Sequence, residues 1–268
     1  MAVTRTVLSF NEVSLRYRRH GRWVLDGVCL DLSRAELLCL QGGNGSGKST
    51  LIRLAAGYGR ATSGDIRRSF ASCGFVPDRV APLPRLTARS YLSHLSAMDG
   101  RRGGKTHRAV DLAERFGLSP GLDTPLDALS RGNLRKVVLS QALARTTDIV
   151  IMDEPLAGLD AAAVGEVVAV VAEKQIQGCA FLIATHSGAF AELGTTQQLR
   201  DGRLHDIAQR RWIDLLRPLP GRADGVQTPA GVGYWVDIDE VQSFLGAALA
   251  AECGVLSVLA PADRRGEG

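Results

Sequence analysis

A glycine-rich segment near residue 45 has the composition of a phosphate-binding loop. Residues 42–49 read Gly-Gly-Asn-Gly-Ser-Gly-Lys-Ser and match the pattern G-x-x-x-x-G-K-[ST] in full. Glycines in such a loop let backbone N–H groups point at phosphate oxygens, and a helix expected from Ser49 adds the positive end of its dipole. Lys48 can reach the β and γ phosphates, and the Ser49 hydroxyl can ligate Mg²⁺. The predicted nucleotide ligands are Gly42, Gly43, Asn44, Gly45, Ser46, Gly47, Lys48, Ser49 and Thr50.

Two adjacent carboxylates follow a second apolar segment. Asp153 and Glu154 come directly after Ile149-Val150-Ile151-Met152. At the end of a buried strand, Asp153 is placed to hold Mg²⁺ through its water shell, and Glu154 can polarise an attacking water as general base. An acidic surface turn is the common alternative for such a pair, but it does not account for the phosphate loop earlier in the chain. We therefore predict a metal ligand and a catalytic base here.

The elements around these residues alternate between buried strands and helices. Leu37–Leu40 is a continuous apolar run that predicts a strand buried on both faces, directly before the glycine-rich loop. The helix after the loop is expected to run from Ser49 to near Gly57. Asp148–Met152 and Cys179–Ala184 are two further buried strands. This alternation predicts a parallel sheet covered by helices.

Further elements are predicted on both sides of the second buried strand. Alternation near Val13–Tyr17 indicates an N-terminal strand, and Leu86–Leu118 has the spacing of two helices. Another helix is expected from about Gly132 to Arg145. Asp160 suits the N-cap of a helix with a valine-rich face. That face consists of Val164, Val167, Val168 and Val171.

The composition is that of an ordinary folded protein. The 268 residues are 45% hydrophobic and 22% charged, which excludes intrinsic disorder, collagen-like repeats and coiled-coil rods. At this length we expect one large domain with a small appendage. A boundary at Pro218–Gly221 gives a domain over 3–217, with a helical subdomain at about 79–145, and an extension over 218–268.

The extension is predicted to be a small strand–helix–strand unit. Its elements are Tyr234–Ile238, Glu240–Ala251 and Val255–Leu259, and Asp263–Gly268 is expected to be a disordered tail. Before the boundary, Gln198–Leu204 is predicted to be a hairpin, because its Asp-Gly pair suits a type I′ turn.

The charge and the apolar segments limit the partners and the compartment. A net charge of +4, spread along the chain, argues weakly against a nucleic-acid partner. Five cysteines without C-x-x-C spacing fit a reduced, cytosolic setting. The N-terminus lacks the apolar core of a signal peptide, and no segment reaches the length of about 18 apolar residues that a membrane span needs. The nearest candidate, Gly246–Ala260, is short and is interrupted by Glu252.

Four further motifs resemble those of the ATP-binding cassette (ABC) family. Leu129-Ser130-Arg131-Gly132-Asn133, followed by a basic helix, resembles the family's LSGGQ signature. Leu156–Asp160 matches its D-loop, and His186, after the third buried strand, matches its switch histidine. Tyr17 lies where the family has an adenine-stacking aromatic residue, although Trp23 is a rival for that role. The resemblance covers about residues 3–205.

The resemblance implies a fold, cofactors and partners. The expected fold is an α/β P-loop NTPase (RecA-like) core sheet flanked by helices, with an N-terminal antiparallel β-subdomain and an inserted α-helical signature subdomain. Two cassettes would close head to tail over two ATP molecules with Mg²⁺. Ser130 and Gly132 would contact the γ-phosphate bound by the other cassette, and Asp160 would link the two sites. Lys48, Glu154 and His186 would be the catalytic residues.

Two motifs depart from the family pattern. The family's Q-loop carries Gln after an apolar strand, whereas here Asp78 follows the segment 73–77. Asp78 keeps an oxygen ligand for Mg²⁺ but is shorter and adds charge, and it resembles the acidic residue of some ABC exporters. Arg131 and Asn133 replace Gly and Gln of the signature, while the Ser and Gly that contact phosphate are retained. We therefore expect an active ATPase.

The leading hypothesis is the ATP-hydrolysing subunit of a membrane ABC transporter. The partners would be a separately encoded integral membrane permease and a second cassette, as a homodimer, at the cytoplasmic face of the cell membrane. Export is favoured over import by Asp78 and by the small C-terminal extension. The permease would dock between Asp78 and about Leu118, where the apolar residues could instead be core. These residues are Pro82, Leu83, Pro84 and Leu86.

Two other functions are less well supported. A soluble ABC ATPase acting on nucleic acid or ribosomes would carry long insertions, zinc modules or a second cassette, and the sequence shows none of these. A P-loop kinase or other metabolic enzyme would explain the glycine-rich loop but neither Ser130 with Gly132 nor His186.

Overall fold

The computed structural model describes residues 5–80, 85–98, 104–118, 121–206, 210–228, 230–237 and 240–259. Its strands are β1 (Thr6–Leu15), β2 (Leu25–Ser33), β3 (Leu37–Gln41), β4 (Ser63–Arg68), β5 (Cys73–Val76), β6 (Ile149–Asp153), β7 (Ala180–Ala184), β8 (Thr195–Arg200), β9 (Arg203–Asp206), β10 (Arg210–Leu215), β11 (Val226–Thr228), β12 (Gly231–Asp237) and β13 (Val255–Leu259). Its α-helices are α1 (Lys48–Ala55), α2 (Ala88–Met98), α3 (Gly104–Arg115), α4 (Arg131–Ala144), α5 (Ala161–Ile176) and α6 (Val241–Ala250).

Parallel strands buried on both faces form the centre of the larger of two compact units. The sheet order is β5-β6-β7-β3-β8-β9, and β5, β6, β7 and β3 run parallel. Side chains of β6 alternate between two hydrophobic cores, since Val150 and Met152 pack in one and Ile149 and Ile151 in the other. The predicted parallel sheet with fully buried strands is confirmed.

The two cores lie on opposite faces of this sheet. One contains α1 and the antiparallel sheet of order β2-β1-β4, so the expected N-terminal β-subdomain is present. The other contains side chains of α2 to α5, which include the expected helical subdomain. The valine face of α5 packs into this second core. Asp160 caps α5 as predicted, because its Oδ1 accepts a hydrogen bond from the Ala163 N–H at 2.9 Å.

The turn between β8 and β9 has the predicted geometry. Asp201 and Gly202 both have positive φ, at 51° and 80°. Positive φ at both central residues defines a type I′ turn, which matches the twist of a two-stranded hairpin. The prediction over Gln198–Leu204 is confirmed.

The second unit is larger than the predicted extension. Its described residues are Thr196–Gln198 and those between His205 and Leu259, and they form an antiparallel sheet of order β11-β12-β10-β13 and the helix α6. The predicted strand–helix–strand sequence is present as β12, α6 and β13. The unit starts earlier than the predicted boundary at Pro218, because β10 pairs with β12 along one edge and with β13 along the other.

Some sequence predictions fall outside the described residues. These are Pro82, Leu83 and Pro84 of the predicted permease-docking surface and the tail over 263–268. Leu86, from the same surface, packs against the core of the larger unit, which favours the alternative of a structural role for it. In the described part of the chain, no helix has both the length and the apolar character required to cross a membrane.

Candidate nucleotide-binding site

The predicted phosphate loop and the predicted carboxylates line one cavity of about 550 Å³ in the larger unit. The loop joins the end of β3 to α1, and the carboxylates lie at the end of β6, two strands away in the same parallel sheet. Because parallel strands end at the same edge, the cavity forms at their carboxyl ends, the usual position for ligands in α/β folds. Its lining residues are Tyr17, Val24, Asn44, Gly45, Ser46, Gly47, Lys48, Ser49, Thr50, Asp78, Asp153, Glu154, Ala157 and His186.

Glycine is required at two positions of the loop. Gly47 precedes α1 with φ of 107°, and a Cβ there would lie 2.8 Å from the Val24 carbonyl oxygen. A Cβ at Gly42 would lie 2.5 Å from the Leu199 carbonyl oxygen. Side chains at either position would therefore force the loop away from the strands that support it.

Lys48 is buried at the base of the cavity. Its Nζ donates hydrogen bonds to the carbonyl oxygens of Gly42 at 2.6 Å and Gly43 at 3.2 Å. The same Nζ lies 3.4 Å from His186 Nε2. Gly42 and Gly43, which are not among the described lining residues, thus contribute by holding the ammonium group where phosphate oxygens would lie.

Asp153 is a buried carboxylate with an unused acceptor atom. Burial raises the pKa of Asp153, and a hydrogen bond from the Ser49 hydroxyl opposes that shift. Its Oδ1 has no hydrogen-bond partner in the described part of the chain. A buried carboxylate is destabilised as an anion until a cation is nearby. Ser49 and Asp153, both oxygen donors, therefore fit the chemistry of Mg²⁺.

Glu154 and His186 lie next to each other in the cavity wall. Glu154 adopts a left-handed conformation with φ of 48°, an uncommon one for a residue with a side chain, and its N–H donates to the Ala184 carbonyl oxygen at 2.8 Å. His186 Nε2 lies 3.3 Å from Glu154 Oε1. This oxygen and Ser46 Oγ are buried, and neither has a hydrogen-bond partner among the described residues. Both atoms are available to a polar ligand in the cavity.

Tyr17 lines the cavity at its rim. The residue is 70% exposed, and its hydroxyl lies within hydrogen-bonding distance, 2.9 Å, of Thr50 Oγ1. Trp23, the rival for the stacking role, is not among the described lining residues, and the Arg16 guanidinium lies 4.5 Å above its ring. An exposed ring at the rim favours Tyr17 as the platform for a base.

The signature residues and Asp160 of the D-loop lie outside the described cavity wall, whereas Ala157 of the D-loop is part of it. Ser130 caps α4, because its Oγ accepts a hydrogen bond from the Asn133 N–H at 3.2 Å. Lys136 Nζ donates to Asp160 Oδ2 at 2.9 Å, and a Cβ at Gly132 would overlap the Gly158 carbonyl oxygen. The signature and the D-loop are therefore packed directly against each other.

Arg135 is a buried cation that our sequence predictions did not include. Its guanidinium donates to the Pro77 carbonyl oxygen at 2.6 Å and to that of Asp78. Val24 and Ala157, which also line the cavity, were missed too; Ala157 lies within the predicted D-loop, and no feature of the sequence distinguishes Val24. For Arg135 there was a weak signal, since it begins the basic pair Arg135-Lys136 directly before the apolar run Val137–Leu139.

Comparison with known proteins gives consistent matches. A family model described as ABC transporter matches residues 25–157. The zinc import ATP-binding protein ZnuC of Alkalilimnicola ehrlichii is 35% identical over 192 residues, which cover 69% of this chain and 71% of that protein. The cytochrome c biogenesis ATP-binding export protein CcmA of Sphingopyxis alaskensis is 33% identical, covering 63% and 84%. The lipoprotein-releasing system ATP-binding protein LolD 1 of Caulobacter vibrioides is 34% identical, covering 68% and 86%.

Solved structures of the same fold are also similar. The ATP-binding subunit of an ABC transporter superposes with a TM-score of 0.68 at 22% identity, over 90% of this chain and 94% of that one. A dimeric bacterial ABC transporter cassette superposes with a TM-score of 0.66 at 21% identity, over 74% and 96%. The chain therefore belongs to the ABC transporter family as an ATP-binding subunit, an ATPase with ATP and Mg²⁺ as its cofactors.

Proposed function

We propose that this chain powers a membrane transporter by closing head to tail on a second copy of itself, with ATP at each of two shared sites. This proposal is supported by the fact that only some of the predicted site residues line the cavity. The phosphate loop, Asp153, Glu154 and His186 share a cavity, whereas Ser130, Gly132 and Asp160 lie outside its described wall. A second copy could supply these three residues to the cavity, so that each site needs both chains.

Within each site, the residues of one chain have distinct proposed roles. Lys48 and the loop N–H groups bind the phosphates, and Tyr17 stacks on adenine. Ser49, Asp153 and Asp78 are the proposed oxygen ligands of Mg²⁺, which when bound supplies positive charge to the phosphate oxygens. Glu154 accepts the proton of the attacking water, and His186, within 3.4 Å of both Glu154 Oε1 and Lys48 Nζ, contacts the γ-phosphate.

Gly132→Ala tests the contribution of the second copy. The added Cβ would overlap the Gly158 carbonyl oxygen and displace the start of α4 from its position toward a partner. We expect ATP hydrolysis to fall about a hundredfold, the usual cost of misplacing a reacting group by about 1 Å. Binding of ATP to the chain's own cavity should stay within about twofold, because no cavity residue changes.

Gly165→Ala is the matched control for this variant. Gly165 lies in α5, and a Cβ there would meet no atom within 4 Å in the described structure. Hydrolysis by this control should equal that of the wild type. Equal hydrolysis by Gly132→Ala would contradict a role for the signature at the ATP site.

The transport role is supported by the kind of proteins to which the chain is similar. Their names describe zinc import, export in cytochrome c biogenesis and lipoprotein release, and each is an ATP-binding protein of a transport system. We propose that this chain likewise acts on a separately encoded permease at the cytoplasmic face of the membrane. To test this, the tagged chain would be purified from detergent-solubilised membranes of its own cells. A co-purifying protein with several membrane spans supports the proposal, and sedimentation with ribosomes or nucleic acid instead would contradict it.

Export is the proposed direction, and Asp78 is the residue that favours it. Similar proteins include both importers and exporters by name, so their similarity does not select a direction. The purified complex would be reconstituted with its cassettes on the outside of vesicles and incubated with a labelled low-molecular-weight extract of the same cells. ATP-dependent accumulation inside the vesicles is expected for an exporter. ATP-dependent loss from preloaded vesicles would contradict the proposal.

A further inference from the structure

Arg135 connects the signature helix to the rim of the ATP cavity. It lies in α4, and its side chain is only 9% exposed. Nη1 donates to the Pro77 carbonyl oxygen at 2.6 Å and Nη2 to the Asp78 carbonyl oxygen, while Nη2 also lies 4.0 Å from Asp78 Oδ1. One guanidinium therefore bonds the backbone that follows β5 and places its charge beside the carboxylate of Asp78.

The cavity around this contact contains three carboxylates. Asp78, Asp153 and Glu154 all line it, and Lys48 is the cation of the phosphate loop. Burial lowers the pKa of Arg135, and the charges of Asp78, Asp153 and Glu154 each oppose that shift. Arg135 is thus within electrostatic reach of all three carboxylates. Since ATP is itself an anion, each negative charge at its site that has no nearby cation disfavours its binding.

Asp78 is the carboxylate that this sequence adds to the site. It occupies the position where the ABC family has a neutral Gln, so it adds a negative charge beside Asp153 and Glu154. Arg79 Nε lies 3.9 Å from Asp78 Oδ2, but its side chain is 97% exposed and its charge is screened by water. Arg135 is buried, so its charge is screened much less.

We propose that Arg135 is a positioning residue that fixes Asp78 at the rim of the ATP cavity and offsets the charge that Asp78 brings there. A guanidinium suits this task because its planar donors can bond two backbone carbonyls while its charge faces a carboxylate. The inference rests on ATP binding in the cavity, as proposed above, and it is independent of the transport direction.

Equilibrium binding of ATP, measured with Mg²⁺ and with EDTA, tests this proposal. Arg135→Gln removes one positive charge, and free ATP carries about two more negative charges than its Mg²⁺ complex. We expect the variant to bind ATP about tenfold more weakly in EDTA and only about threefold more weakly with Mg²⁺. Adding Asp78→Asn to this variant should restore the affinity measured in EDTA to within about twofold of wild type, where the proposed role of Asp78 as a Mg²⁺ ligand has no effect.

A purely structural role for Arg135 gives a different result. Loss of the two carbonyl contacts alone would weaken binding equally with and without Mg²⁺, and Asp78→Asn would not restore it. Either observation overturns the proposal. Arg79→Gln is the matched control, because it removes the same charge from an exposed neighbour of Asp78, and it should change neither affinity by more than about twofold.

Asp78→Asn alone keeps the test decisive if Arg135→Gln does not fold. The Asp78 side chain is 46% exposed, so its replacement does not disturb the core. The charge of Arg135 is then no longer offset by a carboxylate at position 78. We therefore expect ATP, an anion, to bind several-fold more tightly in EDTA. An unchanged or weaker affinity overturns the proposal. Failure of the wild type to bind ATP would contradict the site itself, so the two failures are distinguishable.

Discussion

We expect Glu154→Gln to reduce steady-state ATP hydrolysis by about 10²–10⁴-fold while ATP still drives two copies together. The amide is isosteric with the carboxylate but cannot accept a proton from water at neutral pH. Glu154 Oε1 is buried and has no hydrogen-bond partner in the described residues, so its replacement by an amide oxygen or nitrogen breaks no hydrogen bond there, although it removes the charge that lies 3.3 Å from His186 Nε2. Phosphate release measures the first effect, and sedimentation velocity with and without ATP measures the second.

The control for this variant is Glu114→Gln, an equal change on the exposed side of α3. It should hydrolyse ATP at the wild-type rate. If Glu154→Gln also did so, Glu154 would have no part in the mechanism. If Glu154→Gln lost both hydrolysis and ATP-dependent dimers, the role of Glu154 would be structural.

Lys48→Ala is expected to weaken ATP binding by at least about a hundredfold. The buried ammonium is the cation placed at the phosphate loop, and charge-assisted hydrogen bonds to phosphate are among the strongest that a side chain makes. Lys48→Arg should not restore binding, because the planar guanidinium is too wide to replace an ammonium held by the Gly42 and Gly43 carbonyls. Calorimetric titration with ATP measures the affinity of each variant.

Lys174→Ala is a close control for Lys48→Ala. Lys174 is also a buried lysine, and its Nζ donates to the Arg145 carbonyl oxygen at 2.6 Å. Its loss should lower the free energy of unfolding, because the Arg145 carbonyl loses a buried donor, but it should leave the affinity for ATP unchanged. Equal loss of ATP binding in both variants would mean that Lys48 acts through folding alone.

The central sheet could be predicted from sequence because its signal is local. Each parallel strand, such as β6 or β7, packs in a core on either side, so nearly every residue along it is apolar. The glycine-rich loop and the carboxylates were predictable for a related reason, since each stands directly after such a strand. Because these strands are parallel, the loop and the carboxylates then lie at the same edge of the sheet.

The second unit was only partly predictable because its strands pair with partners that are distant in the sequence. β10 is defined by hydrogen bonding to β12 and β13, which follow it after long intervening segments, and β11 has only three residues. A local pattern does not reveal such partners. Arg135 was missed for the same reason: its bonds to Pro77 and Asp78 join residues 58 and 57 positions apart, and they exist only once α4 packs beside β5.

Because Gly132 and Gly158 are in direct contact, the signature and the D-loop must move together. Two glycines leave no side chains between these backbones, so no change of rotamer can absorb a displacement of either segment. The Lys136–Asp160 ion pair clamps the same two segments a turn further along α4. A displacement of one segment by a second cassette would therefore displace the other segment as well.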